Sequence, residues 1–484
     1  MNRSRSSRAA ALGFLASVAV FAFPKDAEAG GYLVARYGAD HGTPAMPNAF
    51  AIYFNPAALG ATEGTTITGD LSTVLRFVRY TRTTDALSPS DPALLQDPRY
   101  VEANTGTANL TNLLALPFLG VNTDFGGSKY FHAGYAAYIP FGGMATWTRR
   151  QGVPGVPGTT DGPQRWHNIS GQILSIYNTF AASVTIPSTR LSFGASFSPI
   201  FHTVATARAR NANGSDDTVT NGTLIEGRSF IHASGLNFGF SGGLYWEPTD
   251  ELHLGLSYVS QPGLGESRLS GQLRTQLGAG VESKADIDFL QTLPDIIRFG
   301  ATYRATEKLE LRGDFEFQRW SVFERQCVVE KGASCAVDKT GRRAAGDAGN
   351  LVQLNVPRNW RDSIAVRVGP GFFVTNELEA FGSVAVATAA VPKETIDVAT
   401  IDSTQLFATA GVRYVLSKHL ALAGSYNHIY FVPVNTAGRN TQNLRDNPAS
   451  GPDGGEYNVS RSPSADGKYR SQIGFVNINV AYTF

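Results

Sequence analysis

The sequence predicts an all-β protein, a transmembrane antiparallel β-barrel of about 14 strands whose lumen holds an N-terminal plug. Three observations predict this fold: apolar and polar residues alternate along several segments, short turns alternate with long polar links, and the chain opens with an export signal. The charge is nearly balanced, with 41 Lys and Arg residues against 40 Asp and Glu. A nucleic-acid partner, which would require a strongly basic face, is therefore not expected.

Residues 1–29 have the organisation of a secretory signal peptide. An arginine-rich start precedes the apolar run of residues 9–23, and Ala27-Glu28-Ala29 supplies an A-x-A cleavage pattern. The apolar run is shorter than the roughly 20 residues of a membrane-spanning helix. We therefore predict that residues 1–29 are removed and that Gly30 begins the mature chain.

Period-two alternation marks the strands, and the last strand has it most clearly. Its apolar face comprises Gly474, Val476, Ile478, Val480, Tyr482 and Phe484. In LELRGDFEFQ, residues 309–318, one face is apolar and the other carries Glu310, Arg312, Asp314 and Glu316. In a membrane barrel the apolar face meets lipid and the polar face lines the lumen. We expect these lumenal charges to pair with each other or with the plug.

Connection lengths distinguish a membrane barrel from a soluble sandwich. Short turns are predicted near residues 125–127, 187–189, 248–250, 305–307, 375–376 and 417–418. Long polar links lie between them, among them residues 325–359 and 433–467, as is typical of outer-membrane barrels. Six turns and seven long links predict about 14 strands, the first at about Thr66–Arg82 and the last at about Lys468–Phe484. The even count places both termini in the periplasm.

A barrel of this size needs a plug, because about eight strands already fill their lumen with side chains and 16 or more leave a channel. Residues 30–65 precede the first strand, so we predict that they form the plug and that residues 66–484 form the barrel. Within the plug, FAIYFNPAALGA predicts one helical turn with Asn55 as N-cap, Pro56 at the first helical position and Gly60 as the stop. The alternative is an ordinary turn that covers a barrel end.

Cys327 and Cys335 are the whole cysteine content of the chain. In an exported protein, two cysteines so close together predict one disulfide that pins a loop. A metal site would need further ligands nearby, so neither a metal nor another cofactor is predicted.

Several stretches together resemble the FadL/TodX type of outer-membrane transporter, which carries long-chain fatty acids and aromatic hydrocarbons. In chain order they are ARYGADHGTPAMPNAFAIYFNPAALG, IPFGGMATW, LNFGFSGGLYWEPTDELHLGLSYVSQP, LPDIIRFGATYR with FQRWSVFE, NWRDSIAVRVG and AAVPKETID. No single stretch is specific to the family, but together, in this order, the stretches span nearly the whole mature chain. Two features depart from the family pattern: the cysteine pair, and Ala57-Ala58-Leu59 in place of the more usual Ala-Gly-Leu. These departures leave the identity of the substrate open.

The resemblance implies a fourteen-stranded barrel closed by an N-terminal hatch, with substrate captured at the outer mouth and passed to an apolar pocket beside the hatch. Phe50, Tyr53, Phe54 and Leu59 are then the predicted substrate contacts. Each methylene moved into water costs roughly 0.8 kcal/mol, so a ten-carbon tail in a wet pore would cost about 8 kcal/mol. An apolar pocket with a side exit to lipid avoids most of that cost.

The resemblance also implies a lateral exit at a kink in the third strand, which is predicted at about Tyr130–Trp147. Pro140, Phe141, Gly142 and Gly143 mark the position, because proline cannot donate to the ladder and glycine is typical of bulges. The alternative is that the strand ends there and a loop begins.

The predicted function is passive transport of a hydrophobic small molecule (a fatty acid, an alkane or an aromatic) across the outer membrane of a Gram-negative bacterium. A plugged or open porin for polar solutes and a non-transporting adhesin or receptor are the alternatives. No enzymatic activity is predicted, because the G-x-S-x-G match at residues 239–243 continues as a strand. The expected partners are the substrate, outer-membrane lipid and lipopolysaccharide, and the barrel-assembly machinery, through the strand that ends in Phe484. We expect a monomer.

Overall fold

The structure is a computed structural model that describes residues 33–34, 36–211, 214–337, 352–436, 438–440 and 462–484. The predicted signal peptide and the first residues of the predicted plug lie outside these ranges. Across the described ranges, no helix is long and apolar enough to cross a membrane.

Fourteen antiparallel strands, β1 to β14, form a closed barrel, which confirms the predicted fold. Their bounds are β1 Thr65–Arg82, β2 Gly106–Thr123, β3 Phe131–Thr146, β4 Ser170–Ile186, β5 Leu191–Arg210, β6 Gly227–Trp246, β7 Leu252–Val259 and Glu266–Gln276, β8 Ser283–Thr292 and Ile296–Thr306, β9 Leu309–Gln318 and Arg325–Glu330, β10 Val352–Pro357 and Ser363–Phe373, β11 Leu378–Ala387, β12 Gln405–Ser417, β13 Leu420–Phe431 and β14 Lys468–Thr483. β14 pairs with β1 from Thr66↔Thr483 to Thr81↔Lys468, which closes the barrel. The predicted first, third and last strands agree with these bounds to within a residue at each end.

Side chains alternate between the two faces of the wall as predicted. In β14, Val476 and Ile478 are exposed on the outside and Asn477 is buried inside. In β9, Leu311 is exposed and Arg312 is buried. An apolar outer surface around a polar inner one is the arrangement of a barrel surrounded by hydrocarbon.

The links divide between two ends of the barrel, which we name the turn end and the loop end. All six predicted short turns are present at the turn end. At the loop end, the prediction of seven long links was wrong for residues 277–282, a short turn between β7 and β8. The predicted link 325–359 was also wrong at its borders, because Arg325–Glu330 and Val352–Pro357 are strand segments that pair with each other.

The physical reason for these errors is that β7 to β10 are interrupted and then resume. Pro262 and Pro294 lie in the interruptions of β7 and β8, where a residue without an N–H cannot continue the ladder. Beyond the break, the four strands form an extension of the sheet at the loop end. Cys327 and Cys335 are disulfide-bonded there, with Cα atoms 6.2 Å apart. The bond therefore attaches the end of this sheet extension to the turn that follows β9.

Residues 36–64 lie inside the barrel and are named the hatch. Its elements are the 3-10 turn Ala39–His41, helix α1 Ala51–Phe54 and the 3-10 helix Pro56–Ala61. Glycines let its backbone approach the wall closely. A Cβ at Gly194 of β5 would lie 2.2 Å from Ala57 N. A Cβ at Gly255 of β7 would lie 2.0 Å from the carbonyl oxygen of Pro44.

The link between β11 and β12, residues 388–404, folds inward at the loop end and is named the lid. Its Val391 and Ile401 are buried in one apolar cluster with Trp320 and Trp360 of the wall. Further helical segments occur in the links, at α2 Pro98–Asn104 and in 3-10 turns at Thr84–Ala86, Pro92–Gln96, Pro157–Asp161, Pro262–Leu264 and Trp320–Val322. Short paired strands occur at Leu33–Val34, Val219–Thr220, Thr223–Leu224 and Val434–Asn435.

Candidate functional site

Charged side chains of the wall hold the hatch at defined points. Arg36 Nη2 donates to Asp314 Oδ2 of β9 at 2.7 Å. Arg298 of β8 donates from Nη1 to the Tyr53 carbonyl oxygen at 3.2 Å and from Nη2 to the Tyr53 hydroxyl at 2.9 Å. Charge-assisted hydrogen bonds are stronger than neutral ones. Asp314, one of the predicted lumenal charges of β9, therefore pairs with the hatch.

The other charges of β9 pair within the wall. Glu316 Oε2 accepts from Arg298 Nε at 2.5 Å, and Arg312 pairs with Glu379 of β11. The hatch residue His41 reaches the same carboxylate, with Nε2 2.9 Å from Glu379 Oε2. Burial lowers the pKa of His41 in spite of that carboxylate, so the contact at neutral pH is a hydrogen bond from a neutral imidazole.

Asn55 fixes the helical turn of the hatch. Its Oδ1 accepts from Ala57 N at 3.2 Å, as an N-cap does, and Pro56 occupies the first helical position. Its Nδ2 donates to the carbonyl oxygens of Pro44 and of Leu244 in β6, both at 2.9 Å. The N-cap predicted from the sequence therefore also binds the hatch to the wall.

An aromatic cluster joins the hatch to β2 and β3. The ring of Tyr37 lies 5.3 Å from Phe118 and 5.8 Å from Tyr138, measured between centroids. Phe50 lies 5.0 Å from Phe118, and Tyr53 lies 5.1 Å from Tyr138. All five side chains are buried. These separations are those of favourable edge-on and offset aromatic pairs.

Beside this cluster the wall has a gap, which we name the seam. The ladder between β2 and β3 stops at Phe118↔Tyr138. Past that point, among the residues that the structure describes, the two strands share the bridge Leu110↔Trp147 and two hydrogen bonds of the Asn112 side chain, to the Met144 carbonyl oxygen and from the Thr146 N–H. In the described structure, residues 139–143 of β3 are therefore not bonded to β2, and beyond them no continuous ladder joins the two strands.

Pro140 lies where β3 leaves β2. The ladder from β3 to β4 also shifts register here and skips Ile139 and Pro140. Proline has no N–H to donate, and the N–H of Ile139 donates to the hydroxyl of Tyr37 at 2.7 Å instead of to a strand. The strand continues as far as Thr146, so the alternative that it ends at the proline was wrong.

The free edge of β3 in the seam is paired with the start of the described chain. Leu33 lies opposite Gly142 and Val34 opposite Phe141, in antiparallel register. Two residues that precede the hatch therefore occupy the position that β2 vacates.

A cavity of about 180 Å³ lies between the hatch and the lid and is named the central cavity. Tyr53 and Phe54 line it on the hatch side, Val391 and Ile401 on the lid side, and Gly143 at the seam. Its apolar wall residues include Val74, Leu114, Met144, Trp320, Trp360, Phe407, Ile429, Phe431, Ile473 and Phe475. Charged residues line it as well, namely Arg36, Arg76, Asp314, Glu316, Arg367 and Asp402. A concave site that combines apolar side chains with convergent polar groups is typical of small-molecule sites.

A comparison with protein families identifies this architecture. The family model described as outer membrane protein transport protein (OMPP1/FadL/TodX) matches residues 25–467. The chain belongs to this family. It is a family of transport proteins, and no enzymatic activity is ascribed to it. None of the curated proteins compared with this chain matches it.

Solved structures of FadL/TodX-family proteins have the same fold. A FadL homologue from Pseudomonas aeruginosa has a TM-score of 0.71 at 16% identity, with 94% of this chain and 100% of that one covered. The Pseudomonas putida toluene transporter TodX has a TM-score of 0.59 at 14% identity, covering 95% and 99%. The Ralstonia pickettii toluene transporter TbuX has a TM-score of 0.56 at 13% identity, covering 90% and 94%.

The predicted substrate contacts of this FadL/TodX-family chain divide into two pairs. Tyr53 and Phe54 line the central cavity. Phe50 and Leu59 are buried at 4% and 0% exposure and pack into the hatch core. In the part of the chain that the structure describes, neither Phe50 nor Leu59 lines a cavity that Tyr53 lines.

The predicted lateral-opening residues lie together at the seam. Pro140 and Phe141 line a cavity of about 20 Å³ next to Tyr53, and Gly143 lines the central cavity. Gly142 does not line either cavity and pairs with Leu33 instead.

The prediction that Gly60 stops the helical turn was wrong. The 3-10 helix continues to Ala61, and a packing contact explains the glycine. A Cβ here would lie 2.3 Å from Thr185 Oγ1 and 2.5 Å from Ser192 Oγ, on the wall of the barrel. The Thr185 hydroxyl also donates to the carbonyl oxygen of Gly60 at 3.1 Å.

Sequence reasoning missed most of the central cavity. Phe407, Phe431 and Phe475 lie on β12, β13 and β14, and strand alternation alone would have placed them on the lumenal face. The lid residues Val391 and Ile401 had no such signal, because a link has no periodicity that indicates which side chains turn inward.

Proposed function

We propose that this protein transports hydrophobic small molecules passively across the outer membrane, from the loop end through the central cavity and out to lipid at the seam. The interruption of β3 at Pro140 is the observation that carries the proposal, because the wall separates there beside residues that line two cavities. Two structures of similar fold are described as toluene transporters, which supports an apolar substrate.

The orientation follows from the links. Short turns face the periplasm and long loops face outward in outer-membrane barrels. The turn end is then periplasmic, as are both termini, and the loop end is the entrance. This orientation places the lid on the side of entry and the hatch on the side of the periplasm.

The seam is an easier exit than the periplasmic end. A path past the hatch breaks bonds such as Arg36–Asp314 and those of Arg298 with Tyr53. A path through the seam meets the short pairing of Leu33–Val34 with β3 and the bonds of the Asn112 side chain to Met144 and Thr146, without a continuous ladder between β2 and β3. A lateral path also keeps an apolar solute out of water, at a saving of roughly 0.8 kcal/mol for each methylene.

The hatch favours this function over a porin for polar solutes. A porin needs a continuous aqueous lumen, whereas the hatch backbone contacts the wall so closely that Gly194 and Gly255 leave no room for a Cβ. A surface protein without transport would have no need of the seam or of a cavity behind it.

The test is the substitution Pro140→Val, which supplies the missing N–H and a strand-forming side chain. We expect uptake of radiolabelled toluene and dodecanoate by cells with no other such channel to fall about tenfold, because a continuous ladder would close the seam. Pro370→Val in β10 is the matched control, since its ladder to β9 is unbroken at Leu311↔Pro370. We expect it to leave uptake unchanged.

The folding of each variant is checked by the shift of the unheated barrel on denaturing gels. A loss of uptake by a folded variant can then be distinguished from a loss of folding. Equal uptake by Pro140→Val and the unaltered protein would refute the lateral exit. Uptake of neither compound by the unaltered protein would refute hydrophobic transport itself.

A further inference from the structure

The outward face of β1 changes from apolar to basic towards the loop end. Its exposed apolar side chains are Ile67, Leu71, Leu75 and Phe77, and the next outward residue is the exposed Arg79. From Ile67 to Phe77 the strand rises roughly 33 Å, which at a tilt of about 40° is a height of about 25 Å. That height equals the apolar band of an outer-membrane barrel. Arg79 therefore lies just beyond the hydrocarbon, at the level of the lipid headgroups.

Arg79 is opposed by another arginine across the strand pair that closes the barrel. Its cross-strand partner on β14 is Arg470, and Lys468 is exposed on the same face of β14, two residues nearer the loop end. Side chains in directly opposite positions have Cβ atoms about 5 Å apart, and like charges there are destabilising. We name Arg79, Arg470 and Lys468 the basic patch.

No acidic side chain forms an ion pair with the basic patch within the part of the chain that the structure describes. Arg79 Nε donates to Asn109 Oδ1 of β2 at 3.3 Å, which is a neutral partner. Asp466 lies two residues before Lys468, but its carboxylate accepts from the hydroxyl of Ser464. Three positive charges therefore lie together without a counter-charge from the described residues.

An arginine at the matching place on β9 is neutralised by the protein itself. Arg319 follows the outward Phe317 at the end of the first segment of β9, as Arg79 follows Phe77 on β1. Its Nε donates to Asp295 Oδ1 at 2.6 Å. The wall supplies a counter-charge there, whereas at the basic patch a ligand has to supply it.

We propose that the basic patch binds the phosphates of lipid A, the phosphorylated glycolipid that anchors lipopolysaccharide in the outer leaflet. A guanidinium presents paired donors that match a phosphate, and a phosphate between Arg79 and Arg470 relieves their mutual repulsion. The acyl chains then lie against the apolar band, where Leu75 and Val476 are exposed. The choice of lipid A rests on the proposed orientation of the barrel, in which the loop end faces outward. The site is on the outside of the wall, separate from the path of the transported molecule.

The test compares two ligands that have the same acyl chains and differ in charge, lipid A and lipid A from which both phosphates have been removed. Their binding to the whole protein is measured by native mass spectrometry of protein released from detergent micelles. We expect the double variant Arg79→Gln/Arg470→Gln to weaken lipid A binding about tenfold, because the phosphates lose two charged partners. Binding of the dephosphorylated form should change less than about twofold, which also shows that the wall of the variant is intact.

Two further variants serve as controls. Arg79→Lys/Arg470→Lys retains both charges, and we expect it to keep most of the lipid A binding that the glutamine variant loses. Arg319→Gln removes an outward arginine from the matching place on β9, and we expect lipid A binding to change less than about twofold, because Asp295 already neutralises that arginine.

The possible failures point to different claims. If the glutamine variant weakens both forms of lipid A equally, or neither, the lipid A site is refuted while transport stands. If phosphatidylglycerol or inorganic phosphate binds as tightly as lipid A and is lost equally in that variant, the patch is assigned to another phosphate and the lipid A proposal is overturned.

Uptake separates this site from the transport function. We expect the glutamine variant to take up toluene and dodecanoate as the unaltered protein does, because the basic patch lies outside the lumen. A loss of uptake in the folded variant would contradict that separation. If the unaltered protein binds lipid A through the two arginines but takes up neither compound, the lipid A site is supported and the transport function is refuted.

Discussion

The hatch and the lid lie inside the same barrel, towards its two ends, but are held in different ways. Directional polar bonds to several strands anchor the hatch, such as the ion pair of Arg36 with Asp314. The polar bonds of the lid converge instead on one residue, Arg358, which bonds Asp397, Thr395 and Thr400, and apolar packing in a cluster with two tryptophans adds to them. Bonds to several separate strands fix a segment at more points than bonds that converge on one residue, and apolar contact is non-directional and tolerates small shifts. We therefore expect the lid to move more readily than the hatch.

Of the changes predicted here, removal of the hatch should have the largest effect, an increase in ion conductance through the barrel. Deleting residues 30–64 is expected to convert a barrel with little ion conductance into an open pore, because a wall of this size cannot fill its own lumen. Conductance across planar lipid bilayers measures the change. Arg36→Gln, which retains the hatch and removes one anchor, should keep the low conductance. An unchanged conductance after deletion would show that the hatch does not block the lumen.

Arg298→Met tests the polar anchoring of the hatch. The substitution leaves the partly buried Glu316 without its charged partner and breaks both bonds to Tyr53, so we expect the free energy of unfolding to fall by about 3 kcal/mol. Urea unfolding in lipid vesicles measures the loss. Arg304→Gln, on the same strand with a side chain 42% exposed, should cost less than about 1 kcal/mol. Equal losses in the two variants would contradict the anchoring role of Arg298.

Asp397→Asn tests the lid. We expect amide hydrogen exchange in residues 388–404 to accelerate on the order of tenfold while the barrel strands are unchanged, because Arg358 loses its charged partner. Glu394→Gln is the control on the same link, since its contact with Arg361 is long, 3.8 Å, and exposed. If both variants exchange alike, the ion pair of Arg358 does not hold the lid.

The lid should also resist moderate acid. Burial raises the pKa of the Asp397 carboxyl, but the guanidinium of Arg358 outweighs burial and holds that pKa below its usual value. A carboxyl with a lowered pKa in the folded state stabilises above its ordinary pKa and ceases to do so as pH falls through the lowered value. Exchange protection of the lid should therefore be the same at pH 7 and pH 5 and decrease only in stronger acid.

Loss of the disulfide should have the smallest effect on transport. Cys335→Ser frees one short turn at the end of β9, away from the hatch and the seam. We expect faster proteolysis of that turn and unchanged uptake of a hydrophobic probe. The double variant with Cys327→Ser should behave like the single one. A fall in uptake would assign the sheet extension a part in substrate entry.

Much of the fold could be predicted because the relevant signals are local. Alternation along β9 and β14 specified which side chains face lipid, since the two faces of a strand are set by residue parity. Asn55 and Pro56 predicted the helical turn for the same reason, because an N-cap acts within a few residues. The errors fell where a distant contact overrides the local preference, as at Gly60, which packs against Thr185.

The sequence by itself determined the barrel, its strand count, its short turns and the position of the break in β3. Only the tertiary structure decided which wall residues meet the hatch and that Tyr53 rather than Phe50 lines the central cavity. Ser383 and Asp40, for instance, bond across 343 residues of chain. Such pairs depend on how the strands are arranged around the lumen, and no local pattern of residue types records that arrangement.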